Sequence, residues 1–110
     1  MTTGRDEIPQ GTLDMLILKT LLRGKPMHGF QIADSILETS SGVLLVEEGL
    51  LYPALQRMLI KGWIKGEWGK TEGNRRARYY QLTKAGSKQL DQELETYTRV
   101  SAAIARIVDA

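Results

Sequence analysis

The chain has 110 residues, the size of one ordinary domain, with 42% apolar residues to fill a core and 25% charged residues to solvate it. It has no cysteine, which excludes disulfides, thiolate metal centres and thiol nucleophiles, and the opening MTTGRDEIPQ lacks the apolar run of a signal peptide. A net charge of +2 says little about partners, and apolar runs of about four residues fall far short of the roughly 20 needed to span a bilayer, so a soluble, cytoplasmic protein with no membrane partner is expected.

Residues 10–22 read as a first helix, with Gly11 or Thr12 near its cap and the Gly-Lys-Pro at 24–26 ending it. Leu13, Leu16, Ile17 and Leu21 form one stripe, and Met15, Leu18 and Leu22 form a second on another face. A helix apolar on most sides must be covered on most sides, so in this small domain the second stripe is expected to meet another subunit. Residues 28–37 read as a second helix with Phe30, Ala33, Ile36 and Leu37 facing inward. His28, the only histidine, is expected to cap or pack the start of that helix, since a lone histidine makes no metal site of the usual type. The Thr-Ser-Ser-Gly at 39–42 breaks the pattern, and Leu44, Leu45 and Val46 lead to a third helix.

Proline has no N–H and is tolerated in a first helical turn, so Pro53 predicts that the third helix begins between residues 48 and 50. It should run to Lys61 and stop at Gly62, burying Leu51, Leu55, Met58 and Leu59. Tyr52 and Gln56 share a different face, with Arg57 beside them. Residues 64–68 and 75–82 read as two strands joined by the turn-rich GKTEGN. Alternation puts Arg76, Arg78, Tyr80 and Leu82 on one side, and Arg75, Ala77, Tyr79 and Gln81 on the other, with the arginines toward the tip.

Thr83 is expected to cap a last helix of about 25 residues, roughly 38 Å long. Leu90, Leu94, Tyr97, Ile104 and Val108, with Ser101 completing the 4-3-4-3-4 spacing, make a stripe flanked by Val100 and Ile107. The domain cannot cover so long a stripe alone, and the spacing suits a partner helix, which points to a homodimer. The fold class expected is mainly α with a small β-hairpin (α+β). In order of elements it is a winged helix-turn-helix over residues 1–82, continued by a dimerisation helix over 83–110 in one compact unit.

Charge is unevenly placed. From Lys61 to Lys88 eight basic residues face two acids, a local +6 that leaves −4 for the remainder. A positive strip of this kind, directly after an amphipathic helix, reads as a double-stranded DNA footprint: a helix for the groove, then a wing for the backbone. Tyr52, Gln56 and Arg57 are expected to face the major groove, where Gln pairs with adenine and Arg with guanine or phosphate; the plainer reading has Arg57 paired with an acid such as Glu47 or Glu48. Lys61, Lys70, Arg75, Arg76 and Arg78 are expected on phosphates or the minor groove, against the plainer reading of a solvated hairpin. Trp63 and Tyr80 should close the core, whereas Trp68 is left open, lining an effector cavity or buttressing the wing. Asp34, Glu38, Asp91, Glu93 and Glu95 lie on helix exteriors without an acid/base pair, and neither a nucleophile–base pair nor a phosphate loop is present. An enzyme, a cofactor and a metal are therefore not expected. A winged-helix module that binds only protein is disfavoured by the +6 strip, because protein interfaces are depleted in charge.

Three phrases go beyond topology. MHGFQIADSI, EEGLLYPALQRMLIKGWI and EWGKTEGNRRARYYQLTKAG together resemble the PadR family of bacterial transcriptional regulators in its short branch with a single C-terminal helix, a resemblance that spans about residues 10–108. The resemblance implies a homodimeric repressor whose recognition helices read successive major-groove half-sites while the wings hold flanking backbone or minor groove. It also implies a small-molecule effector cavity at the dimer interface, for which Trp68 and Tyr97 are the candidate residues. Two positions depart from the family pattern. Leu50 stands where many members have Ser or Thr, removing a capping or phosphate contact, and Tyr97 stands where several have Trp.

Overall fold

Among the described residues, four helices and three strands follow one another as α1 (Leu13–Leu21), β1 (Met27–His28), α2 (Gly29–Thr39), α3 (Glu48–Lys61), β2 (Ile64–Lys70), β3 (Arg76–Leu82) and α4 (Lys84–Val108). They are seen in a computed structural model that describes residues 8–9 and 11–110. The reading of residues 1–7 and the helix start expected at residue 10 lie outside the described residues.

Helix α1 is central. It packs against α2, α3, α4 and β3, which is why it is apolar nearly all round. Met15 and Leu18 are buried within the chain alongside Ile17 and Leu21, so the second stripe meets α1's own neighbours and not a second subunit. Only Leu22 of that stripe stays exposed. Leu90 at the near end of α4 is likewise fully enclosed. Each fully buried Leu or Ile contributes about 1.5–3 kcal/mol relative to exposure, so these side chains are committed to the monomer core.

His28 begins α2 through a capping box. Its Nδ1 accepts from the Gln31 N–H at 3.4 Å and its own N–H donates to Gln31 Oε1 at 3.0 Å. Packed against α1, α3 and the sheet, the helix buries the side of Gly29, Ile32 and Ile36. Phe30, expected inward, lies 72% exposed because it is one residue, about 100°, away from that side.

Helix α3 begins at Glu48 and ends at Gly62, whose φ of 77° is the left-handed stop expected of glycine there. Pro53, however, is its sixth residue and not in the first turn. The Gly49 carbonyl loses its N–H partner, but in an exposed turn, where water can replace it. Leu51, Ala54, Leu55 and Met58 make the buried face.

The sheet has the order β1-β3-β2, antiparallel throughout. Its hairpin pairs Ile64 with Leu82 at the base and Lys70 with Arg76 at the tip, longer on the first strand than the sequence suggested. The third strand, Met27–His28 against Tyr80 and Tyr79, was not expected: two residues carry no alternation to read. At the hairpin base Thr83 caps α4. Its Oγ1 accepts from the Gly86 N–H at 3.0 Å and donates toward the carbonyls of Gly62 at 2.6 Å and Trp63 at 3.0 Å.

Candidate nucleic-acid interface

Helix α3 packs against β2 and leads into the hairpin through Gly62 and Trp63 alone. Leu50, Tyr52, Gln56 and Ile60 are exposed along α3. Glu47, at the N-cap, makes no side-chain capping bond, as the apolar Leu50 at the third helical position also cannot. Tyr52 is anchored at its tip. Its hydroxyl lies 2.7 Å from where a Cβ on Gly29 would stand, so the ring of α3 rests on the bare start of α2 while 45% of the residue remains exposed.

Arg57 pairs with an acid, as the plainer reading expects, though the acid comes from another helix. Its Nη2 is paired with Asp14 Oδ1 of α1, not with Glu47 or Glu48. With the Arg57 side chain 48% exposed the pair is worth at most about 1 kcal/mol, and it straps α3 to α1 rather than leaving a free guanidinium. Asp14 was not singled out in the sequence because its partner lies 43 residues away. Lys61 places its Nζ 4.6 Å from the centre of the Trp63 ring at the foot of the hairpin.

The two faces of the wing differ in character. On one, Tyr79 lies across Gly69, donates its hydroxyl to the Lys70 carbonyl at 3.0 Å and meets the His28 ring edge-on at 5.3 Å. On the other, Trp68 lies opposite Arg78, and Arg76 sits two residues farther out. The Cζ atoms of Arg76 and Arg78 stand 4.4 and 5.8 Å from the Trp68 ring centre. Lys70, Arg75 and Arg76 are exposed at the tip as expected. Arg78 is not: it is half-buried, folded back over Gly66, and its Nε is enclosed without a partner. Glycine inside a strand signals such a close approach, and Gly66 was the available clue.

Tyr80, buried at the hairpin base, has its hydroxyl pushed above the ordinary Tyr value by burial, with Arg78 opposing and Tyr52 adding to the rise. The unfolded chain then loses this proton first, so the stability Tyr80 supports is complete below pH 10.0, the ordinary value, and declines as pH rises through the folded value. Tyr80→Phe should remove this component: urea unfolding should show a smaller loss between mildly and strongly alkaline buffer than wild type does.

Away from this surface, α4 runs past the core. Leu94 still packs against it, but Tyr97, Val100, Ile104, Ile107 and Val108 are 50%, 48%, 55%, 77% and 73% exposed. An open groove of about 500 Å³ between the start of α1 and α4 is lined by Met15, Tyr97 and Val100 among others. Trp68 does not line it, being engaged on the wing, so one chain does not bring Trp68 and Tyr97 to a common cavity. Among the described residues no cluster of three metal-ligating side chains occurs, and no helix is long and apolar enough to cross a membrane.

A helix-turn-helix followed by a basic two-stranded wing defines a winged-helix DNA-binding protein. Residues 17–92 match the model of the transcriptional regulator PadR-like family, and the chain belongs to that family. Its fold is similar to that of a transcriptional regulator from Clostridium thermocellum (28% identity, 90% of this chain and 95% of that one, TM-score 0.81). It is also similar to a PadR family transcription regulator from Clostridium difficile (28% identity, 89% and 99%, TM-score 0.75). The circadian clock associated protein Pex from Anabaena shares the fold at 24% identity, over 92% and 87% of the two chains, with a TM-score of 0.71. No curated protein matches the chain. The protein is thus a DNA-binding regulator of transcription, from a family of regulators and not of enzymes.

Proposed function

We propose that the chain is a homodimeric repressor that sets α3 in the major groove and the hairpin of β2 and β3 on the flanking backbone or minor groove. The observation that carries the reading is a helix that exposes Tyr52 and Gln56, packed against a wing whose tip exposes Lys70, Arg75 and Arg76. Gln56 is the base-reading candidate, through bidentate bonds to adenine. Arg57, held by Asp14, is better suited to orient α3 or to reach a phosphate than to read a base. The exposed α4 stripe from Tyr97 to Val108 is the surface for the second copy, with Met15, Leu18 and Leu90 removed from that role by their burial.

The test is a gel shift with the DNA just upstream of the protein's own gene, because repressors of this kind often control their neighbourhood. Specific binding there, and repression of a reporter behind that DNA, are the expected results; no binding to it or to random duplex at low salt would undo the proposal. Gln56→Ala should relax sequence preference by about 1–3 kcal/mol at one base position while leaving nonspecific affinity intact. Replacing Arg75 and Arg76 by alanine should weaken binding to every duplex and reduce the salt slope by about two. Full sequence preference in the first variant, or an unchanged slope in the second, would remove the corresponding contact. A second reading, a small-molecule sensor, is favoured by the groove beside Tyr97 and the exposed stripe. An effector seated there would act on DNA binding through the dimer, and the two readings are compatible.

A further inference from the structure

The wing holds a seat for a guanidinium. Gly66, Trp68 and Arg78 lie on the face of the hairpin that, at its base, enters the core through Ile64 and Tyr80. Beyond the edge of the core that face would ordinarily carry solvated side chains. Instead Trp68, though 59% exposed, backs two arginines, with Arg76 at 4.4 Å and Arg78 at 5.8 Å. The space that Arg78 occupies exists because residue 66 lacks a side chain. A Cβ there would stand 2.6 Å from Arg78 Nε and 3.3 Å from its Cγ and Cδ.

No acid holds this arrangement. Among the described residues neither Arg76 nor Arg78 has a carboxylate partner. Glu67, opposite Tyr79, projects from the other face. Arg78 Nε is enclosed with no acceptor, so shape and the indole face hold the side chain, not hydrogen bonding. A free surface arginine gives up much rotamer freedom when it binds an anion, whereas one already stacked gives up less.

We infer that Gly66 and Trp68 are positioning residues for DNA binding: they preset the Arg76 and Arg78 guanidinium groups as a pair, with the terminal N–H donors free for the nucleic acid. This rests on the reading of the wing as a DNA contact. It differs from a mere count of charges, because geometry can be lost while every charge is kept. Gly66→Ala displaces Arg78, and Trp68→Leu removes the aromatic face at little cost to folding, since Trp68 is mostly exposed.

The experiment is a double-mutant cycle, read by fluorescence anisotropy on a labelled duplex of the upstream DNA across a salt series, with thermal unfolding as a check on the fold. G66A and W68L should each bind about three- to tenfold more weakly than wild type, the size a cation–π seat can supply, with the wild-type salt slope. W68F should recover most of the loss. In a background with Arg76 and Arg78 both replaced by alanine, G66A and W68L should cost nothing further. Full affinity in both single variants, or a loss as large in the arginine-free background as in wild type, would overturn the inference and leave the wing reading intact. If removing the two arginines changes neither affinity nor slope, the wing reading itself fails and the inference falls with it.

Discussion

Ile104→Glu should make the protein monomeric and weaken its hold on a two-site operator by about a hundredfold or more. Helix α4 is 25 residues long, and only its first part, to Leu94, is covered by its own domain. Beyond that, five large apolar side chains stay exposed at 3- and 4-residue spacing, which is the pattern of a helix that meets another helix. A carboxylate in the middle of such a seam must either be buried without a partner or force the seam apart, and both outcomes cost more than one exposed pair of helices gains. Ile104 is 55% exposed in the single chain, so the same substitution should leave the monomer's folding almost untouched. Two linked half-site contacts bind more tightly than one by a factor of about 10² to 10⁴, and that factor is lost with the dimer. Sedimentation equilibrium reads the outcome directly: wild type should weigh twice 12.3 kDa and the variant 12.3 kDa. A wild-type protein that sediments as a single chain at micromolar concentration would sink both this expectation and the homodimer proposal.

Gly86→Ala should be the most damaging single methyl in the chain, destabilising it by about 3 kcal/mol or more. A Cβ at this position would come within 2.0 Å of the Trp63 carbonyl oxygen and 2.8 Å of Leu82 Cδ1. The obstacle is backbone, and it cannot swing aside as a side-chain end could. That carbonyl also accepts from the Thr83 N–H at 3.1 Å and from the Thr83 hydroxyl, so pushing it away dismantles the cap of α4 as well. Gly49→Ala is the matched control: it lies in an exposed helical turn with nothing within 4 Å of the added methyl. There the change should be neutral, or stabilising by up to about 1 kcal/mol through helix propensity. Denaturant unfolding of the two variants separates the cases. A Gly86→Ala protein as stable as wild type would mean that α4 packs loosely on the hairpin base, with room for a methyl beside the Trp63 carbonyl.

Much of this was legible in the residues. Gly62 as the stop of α3, Thr83 as the cap of α4, the two strands of the hairpin and the role of His28 all follow from local chemistry, in which a residue acts on backbone within a turn of itself. The positive strip was equally readable, since charge adds along the chain whatever the fold. Family membership, too, was carried by phrases whose order the match over residues 17–92 bears out.

What the tertiary structure decided are the meetings of residues distant in sequence. Periodicity showed that α1 has two apolar stripes but not that its own α4 and sheet would cover both, which took Met15, Leu18 and Leu90 into the monomer core. It showed Phe30 as apolar but not the rotation of α2, which its packing partners set so that Gly29, Ile32 and Ile36 are buried and Phe30 is not. Arg57 met Asp14, Tyr52 met Gly29, and Arg78 turned back over Gly66 onto Trp68, each across a gap in the chain that no pattern within one element encodes. The physical reason is the same in every case. Helical and strand periods report which side of an element is apolar, and caps report where it ends, whereas the identity of the group on the other side is chosen only when the elements pack.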